Sequence, residues 1–470
     1  MFTAKELAPL DREELVALVL RFQEQVAQLA AANEELRKEL AELKRAGKRQ
    51  AAPFSKGTRE AKPKPPGRRP GMGTFSFRRT PSSQEVTGPP VEVPVAEPAC
   101  PGCGGRLEPA GTDLAYLTDI PPMPRPAVTE YRVQVCRCTS CGRRVRGRHP
   151  ELAPGQQGAT AHRLGSRLMA AAHMLHYSAG VPVRRVPKVL GALTGVKVTQ
   201  GAITQDALRR AQGPVGGAYQ ELRRSVGHSP VTHTDDTGWR VGGEPAFLMA
   251  FQTDRATVYQ IRPRHRSQEV REVVPEDYPG VLVTDRARTY DSHSLDGVRQ
   301  QKCLAHALRS ISQVVETKRG RGRSFGLRLK GLLREAMELW QAYHRGVAVD
   351  FVARAQELSQ EVTYHLRDRP LPDADNRRLL NELGWHNDRG NLLRFLREPE
   401  VEPTNNRAER ALRPAVIARK VSHCSKNTRG ADAFTTFTSV LRTLAGRGDR
   451  PLVEELSQVF RGTPPHASPI

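Results

Sequence analysis

The chain has 470 residues, of which 38% are hydrophobic and 26% charged, and its formal net charge is +23. It is long enough for several cores, and its charge favours a polyanionic partner, nucleic acid above all. Its longest apolar runs, such as LVALVL at 15–20, are far too short to span a bilayer, and its opening MFTAKELAPLDREE has no basic stretch followed by an apolar one, so neither a membrane protein nor a secretory leader is expected and the chain is assigned to the cytoplasm, in association with the nucleoid.

Residues 1–46 are predicted to form a coiled-coil dimerisation helix. Leu15, Phe22, Leu29, Leu36 and Leu43 recur at heptad spacing, with Val19, Val26, Asn33 and Leu40 in the complementary position. Branched Val at a with Leu at d favours two parallel strands, and one buried Asn fixes their register, so a homodimer is expected. Residues 47–98, including KPKPPGRRPGMG at 62–73, are too polar and Pro-rich to bury a core. They read as a basic flexible linker, able to follow phosphates or simply to keep the chain soluble. Residues 99–150 are read as a zinc-binding domain. Four of the seven cysteines fall in two C-x-x-C pairs, Cys100 with Cys103 and Cys138 with Cys141. In a reducing compartment that pattern suits a closed, structural Zn²⁺ site rather than disulfides. Cys136 is a spare thiol that either substitutes as a ligand or packs.

Residues 151–225 are predicted to be a helical, helix-turn-helix-like DNA-binding region: one helix in RLGSRLMAAAHMLHY, then a helix, a turn around Gly195 and a second helix reaching residue 212. Any small helical hairpin shares that spacing. From 226 to 450 the texture becomes that of a sheet. VTHTDDTGWRV at 231–241, the Gly242-Gly243 turn, AFLMAFQT and TVYQIR predict a three-strand meander. SQEVREVV then leads to the strand GVLVTD at 280–285 and the strand-to-helix unit VRQQKCLAHALRSI. A helical insert covers about 315–400, and TNNRAERALRP opens a helix that Thr404, Asn405 or Asn406 can cap. Residues 451–470 are predicted to be a C-terminal helix and tail. The class is α/β: a ribonuclease-H-like catalytic core with a helical insertion, preceded by coiled coil, zinc ribbon and helix-turn-helix region.

Three acids follow or begin these elements: Asp235 at the expected end of the first strand, Asp285 at the end of the fourth, and Glu409 in the capped helix. In this order of elements two neighbouring strand ends and one helix bring the three carboxylates together. Their mutual repulsion requires cations, and oxygen donors suit Mg²⁺ or Mn²⁺. Two such ions roughly 3.5–4 Å apart serve phosphoryl transfer. A lone Asp at a strand end is ordinarily a turn cap, and three in the right order weigh against that. Alternation puts Asp235 on the face of Val231 and His233 and Asp236 on the opposite one; the pattern leaves open which face carries the metal.

The segments PFSKG, PGRRPG, CPGCGGRL, HTDDTGW, VTDRARTYD, KCLAHALRS and TNNRAERALRPAVIARK resemble, in this order and over nearly the whole chain, the DDE transposases of bacterial insertion sequences, specifically the insertion sequence 66 family of transposase C type. The resemblance implies that Asp235, Asp285 and Glu409 are the catalytic, metal-holding acids, with Asp236 where the family usually has Glu. It implies cleavage at transposon ends with water as nucleophile, then strand transfer by the freed 3′-hydroxyl into target DNA. It also implies double-stranded DNA of ends and target as partner, together with accessory proteins of the same element. His306 would lie near the acids and bond the scissile phosphate, whereas the residues alone also allow Cys303 and His306 to be core packing. Arg410 and Arg413 would contact phosphate or neutralise the acids, and Arg413, preceding Pro414, could instead end the helix. Cys424 reads as a buried thiol. Met72 stands where the family usually has His, and the tail beyond LRTLAGRGDRPL diverges. The rival readings are a zinc and helix-turn-helix DNA-binding protein without chemistry, which the intact acids disfavour, and a ribonuclease-H-like nuclease without strand transfer, which the zipper, zinc segment and long insert disfavour.

Overall fold

The computed structural model describes residues 11–48, 79–118, 126–147, 149, 152, 163–367, 370–448 and 450–462. Most of the basic linker, with PGRRPG and Met72, and the final residues of the tail lie outside the described residues, as do the side chains of Leu40 and Leu43. The chain divides into two compact units, one of residues 56–129 with 193–195 and one of all the rest. Among the described residues no helix is long and apolar enough to cross a membrane.

The N-terminal heptads form one helix, α1 (Arg12–Lys48), opened by a reciprocal cap in which Asp11 Oδ1 accepts from the Glu14 amide and Glu14 Oε2 from the Asp11 amide. Its apolar seam is bare: Val26 is 62% and Leu29 65% exposed. Strands β1 (Val135–Arg137) and β2 (Arg144–Arg146) make a short antiparallel hairpin around the second cysteine pair.

The helical region comprises α2 (Ser166–His173), prolonged by a π-helical turn at Met174–Ser178, then α3 (Val186–Thr194), α4 (Gln200–Gln212) and α5 (Pro214–Val226). Gly195 turns the chain between α3 and α4 with a φ of +71°, a conformation that costs a side-chain-bearing residue far more, and Thr199 caps α4 by accepting from the Ala202 amide. The predicted pair of helices around Gly195 is therefore present. Buried His173 of α2 bonds Asp206 of α4 at 2.9 Å, and Arg210 completes the cluster.

The mixed sheet contains β3 (Val231–Val241), β4 (Glu244–Gln252), β5 (Thr257–Arg262), β6 (Val281–Thr284) and β7 (Arg299–Lys302) in the spatial order β5-β4-β3-β6-β7. The first three are antiparallel neighbours, while β6 runs parallel to both β3 and β7. Two left-handed glycines, Gly242 and Gly243, close the β3–β4 hairpin, as a tight hairpin turn demands. Between β5 and β6 lies α6 (Ser267–Arg271); α7 (Leu304–Thr317) follows β7. The insert consists of α8 (Arg321–His344), α9 (Phe351–His365) and α10 (Ala374–Asp388), after which come α11 (Asn406–Ser422), α12 (Thr428–Arg447) and α13 (Leu452–Phe460).

The two sheet faces bury different partners. Met249, Phe251, Val258 and Leu282 share one core with helices α2–α5, α12 and α13, while Val281 and Val283 on the other side pack against α7 and the insert. Strand β5 is an edge, yet its outward amides are not left to water or to another chain. Ser439 Oγ accepts from the Tyr259 amide at 2.8 Å and Thr443 Oγ1 from the Thr257 amide at 3.0 Å, both from α12. The run TTFTSVLRT thus covers an edge that would otherwise template aggregation.

Gly280 precedes β6 where a Cβ would collide with the Ser229 carbonyl and the Tyr278 ring, itself anchored to Thr232 Oγ1 at 2.8 Å. Gly280→Ala is therefore expected to cost about 2–3 kcal/mol, measurable as a lowered denaturant midpoint at unchanged slope.

Candidate active site

The acidic pair is not at a strand end, as expected from the pattern, but midway along β3. That strand continues to Val241, and β4 pairs with it from His233 to Val241, Asp235 opposite Ala250 and Asp236 opposite Met249. What stops is the other neighbour: β6 pairs only with Val231, Thr232 and His233 and ends at Thr284. The next residue is Asp285. The parallel neighbour thus leaves the sheet as the acids begin, opening a notch whose walls are Asp235 on a supported strand and Asp285 on a departing one. Local bonds fix both: Asp235 Oδ1 accepts from the Asp236 amide, and Asp285 Oδ1 from the Ala287 amide, each at 2.9 Å.

Helix α11 supplies the third wall through Asn405. This residue occupies the N-cap position, but its side chain makes no cap bond. Instead Nδ2 donates to the Thr234 carbonyl at 2.7 Å, and the backbone amide donates to Cys303 Sγ at 3.2 Å. One buried residue thereby ties α11 to β3 directly beside Asp235 and to the start of α7. Glu409 lies in the first turn of α11, and His306 in the first turn of α7 reaches to 3.7 Å from its carboxylate with Nε2. His306 accordingly faces the acids, whereas Cys303 is fully buried as the latch acceptor. The helix does not stop near Arg413: Pro414 lies inside α11, which runs to Ser422, so Arg413 is no helix end, and it is exposed like Arg410. Asn405→Ala should cost about 1–3 kcal/mol by stranding the Thr234 carbonyl, and if the latch sets the site, catalytic rate should fall further than melting temperature predicts.

The electrostatics show the carboxylates acting on one another. Burial, then the charges of Asp285, Asp236 and Glu409, push Asp235 up to about 7, against the local pull of the Asp236 amide. His233 moves the other way, down to about 3, first through burial and then through the fields of Arg407 and Arg410. Tyr290, wholly buried beneath the site, is lifted well above its ordinary range by burial and by the negative field of Asp285, Asp236 and Asp235. Among the described residues no three His, Cys, Asp or Glu side chains converge tightly enough to cage one metal ion.

Two cations escaped the sequence reading. Arg286, next to Asp285, reaches Glu382 of α10 at 2.6 Å and Ser310 Oγ of α7 at 2.6 Å, with a longer bond to the His306 carbonyl. It thus clamps the Asp285 loop to the His306 helix and the insert. Lys302 is fully buried at the end of β7, its Nζ 2.8 Å from Asp291 Oδ1. Burial lowers its affinity for a proton, partly offset by Asp291 and Asp285. A basic residue in a basic chain carries no signal of which acid it will meet; only the fold supplies that.

A family model described as Transposase IS66 family matches residues 162–433. The chain belongs to this family. No curated protein matches it. The IS66 span runs from just before α2 into α12, so it takes in the notch, the insert and Asp235, Asp285 and Glu409 together, and it excludes α1 and both cysteine pairs.

Those pairs outside the IS66 span are built alike. Cys100 N donates to the Gly105 carbonyl and its carbonyl accepts from Gly104; Cys138 repeats this with Arg143 and Gly142. Gly104 and Gly142 hold φ values of +73° and +71°. In each turn backbone amides point at the first sulfur, those of Gly102 and Cys103 at Cys100 and those of Cys141 and Ser140 at Cys138, and lower its affinity for a proton. Cys136 is exposed on β1, and Cys424 is half-buried beside the β3 core.

Proposed function

We propose that this IS66-family chain is a DNA transposase that binds the ends of an insertion sequence and carries out Mg²⁺-dependent DNA cleavage and strand transfer at Asp235, Asp285 and Glu409. The observation that carries the reading is the meeting of acids remote in sequence: β6 ends at Thr284 so that Asp285 follows where β3 carries Asp235, the Asn405 latch brings in α11 with Glu409, and burial, with the charges of Asp285, Asp236 and Glu409 added, raises Asp235 to about 7. The strand order β5-β4-β3-β6-β7, with an antiparallel meander and two parallel additions, fits the expected ribonuclease-H-like core and supports the same reading.

Oxygen-only donors with open surroundings suit Mg²⁺ or Mn²⁺, and the three acids would hold the ions. Bound there, a pair of ions would supply activation of the attacking oxygen and stabilisation of the leaving one in phosphoryl transfer. The protein's own residues do the rest. The Asn405 latch and the Arg286 clamp fix the three carboxylates relative to one another. His306 presents Nε2 at the edge of Glu409, where it can donate to a phosphate oxygen. Exposed Arg410 and Arg413 extend along α11 as phosphate contacts, and the chain charge of +23 draws DNA to an acidic centre that would repel it without cations.

The remaining modules fit that task. The bare apolar seam of α1 suits a parallel homodimer, the α3–α4 pair suits helix-turn-helix docking, and the glycine-turned cysteine pairs, with Cys100 and Cys138 already biased toward thiolate, suit structural Zn²⁺. Divalent-dependent nicking of a labelled element end tests the chemistry. A pre-cut end supplied with target DNA separates transposition from simple nuclease action, because only a transposase yields joined product. Binding without either product under Mg²⁺ and Mn²⁺ would leave a DNA-binding protein that has lost its chemistry.

A further inference from the structure

Asp236 has no part in the chemistry above, yet it is a half-buried acid set beside three others. Its partner is a histidine. His265, in the segment joining β5 to α6, approaches Asp236 Oδ1 with Nδ1 at 3.0 Å, and its side chain is only 8% exposed. The imidazole is held on several sides: it lies 5.6 Å from the Tyr290 ring and 6.0 Å from that of Phe247 on β4. Its backbone carbonyl accepts from Thr289 Oγ1 at 3.0 Å, in the loop that follows Asp285. Next along the path, the Asp236 amide donates to Asp235 Oδ1. A continuous chain of contacts therefore runs from the Asp285 loop through His265 and Asp236 to the carboxylate of Asp235. An apolar side chain would pack as well between Phe247 and Tyr290; an imidazole is worth its desolvation there only for the bond it makes.

We infer that His265 is a positioning residue: by donating Nδ1–H to Asp236 it fixes the rotation of β3 at the acidic pair, and so orients Asp235 toward the divalent cation. This rests on the metal-dependent reading of the site. It also accounts for the doubled acid, since Asp235 faces the cation while Asp236, projecting to the other side of the strand, is the handle by which the sheet holds it.

The test uses the full-length chain with His265→Phe, which keeps a ring between Phe247 and Tyr290 but donates no bond, and His265→Asn, whose amide nitrogen can replace Nδ1. Mn²⁺ binding to protein alone is followed by electron paramagnetic resonance, and cleavage of an element end is resolved into kcat and KM for DNA. His265→Phe should weaken Mn²⁺ binding and lower kcat, each by about 10–100-fold, with KM for DNA unchanged, and His265→Asn should recover most of both. Wild-type values in His265→Phe, or an equal loss in both variants that tracks their melting temperatures, would overturn the positioning role. A wild-type chain that neither binds Mn²⁺ nor cuts DNA would overturn the reading of the acids beneath it.

Discussion

Glu409→Gln is expected to lower Mg²⁺-dependent cleavage of an element end by at least about a thousandfold, or about 4 kcal/mol of transition-state stabilisation, while DNA affinity stays within about twofold. The amide matches the carboxylate in shape, so α11 keeps its packing through Ala408, Ala411 and Ala415 and its latch through Asn405. What disappears is one negative charge in a cluster where Asp235 already feels Glu409. Gel-shift affinity and single-turnover cleavage on the same labelled duplex separate the two effects. Undiminished cutting would remove Glu409 from the chemistry, and parallel loss of binding would make its role structural.

The second large effect is the pH dependence of metal binding. In the metal-free chain Asp235 holds its proton up to about 7, and a cation must displace that proton. Apparent Mn²⁺ affinity should therefore climb close to tenfold per pH unit between about 5 and 7 and level off above. Asp235→Asn should bind weakly with no such slope. Stability carries the opposite sign. Because the folded value lies above the ordinary 3.8, ionising Asp235 costs folding free energy, a cost that grows from about pH 4 to about pH 7. Asp235→Asn should accordingly gain in melting temperature over the metal-free wild type across that window, and saturating Mn²⁺ should erase the gain. The comparison with the variant matters because His233, pushed down to about 3 by burial, favours folding increasingly over much of the same range. A wild-type affinity flat from pH 5 to 7 would contradict a shared acidic cluster.

The sequence and the structure agree best where the signal is local. The meander was legible because period-two alternation and the Gly242-Gly243 turn are written into neighbouring residues, and the helical insert because its apolar positions repeat at helical spacing. The three acids stood out by position relative to those elements. Failures cluster where one residue serves two elements at once. Asn405 had the chemistry of a cap and was used as a latch. Pro414 had the chemistry of a helix end and sits inside α11, where a missing amide is tolerated. The Ser and Thr residues of α12 carried no strand signal, yet their hydroxyls finish the edge of the sheet.

By itself, then, the sequence determined the alternation of β3, the strong positive charge and the two cysteine turns, because each depends on residues close along the chain or on composition. Tertiary structure alone decided where β6 lets go of β3, which face of the strand Asp235 shares with Asp285 and Glu409, and that Asp236 belongs to His265. Those outcomes depend on register between segments far apart in sequence, and a shift of one residue exchanges the two faces of a strand without altering a single local preference.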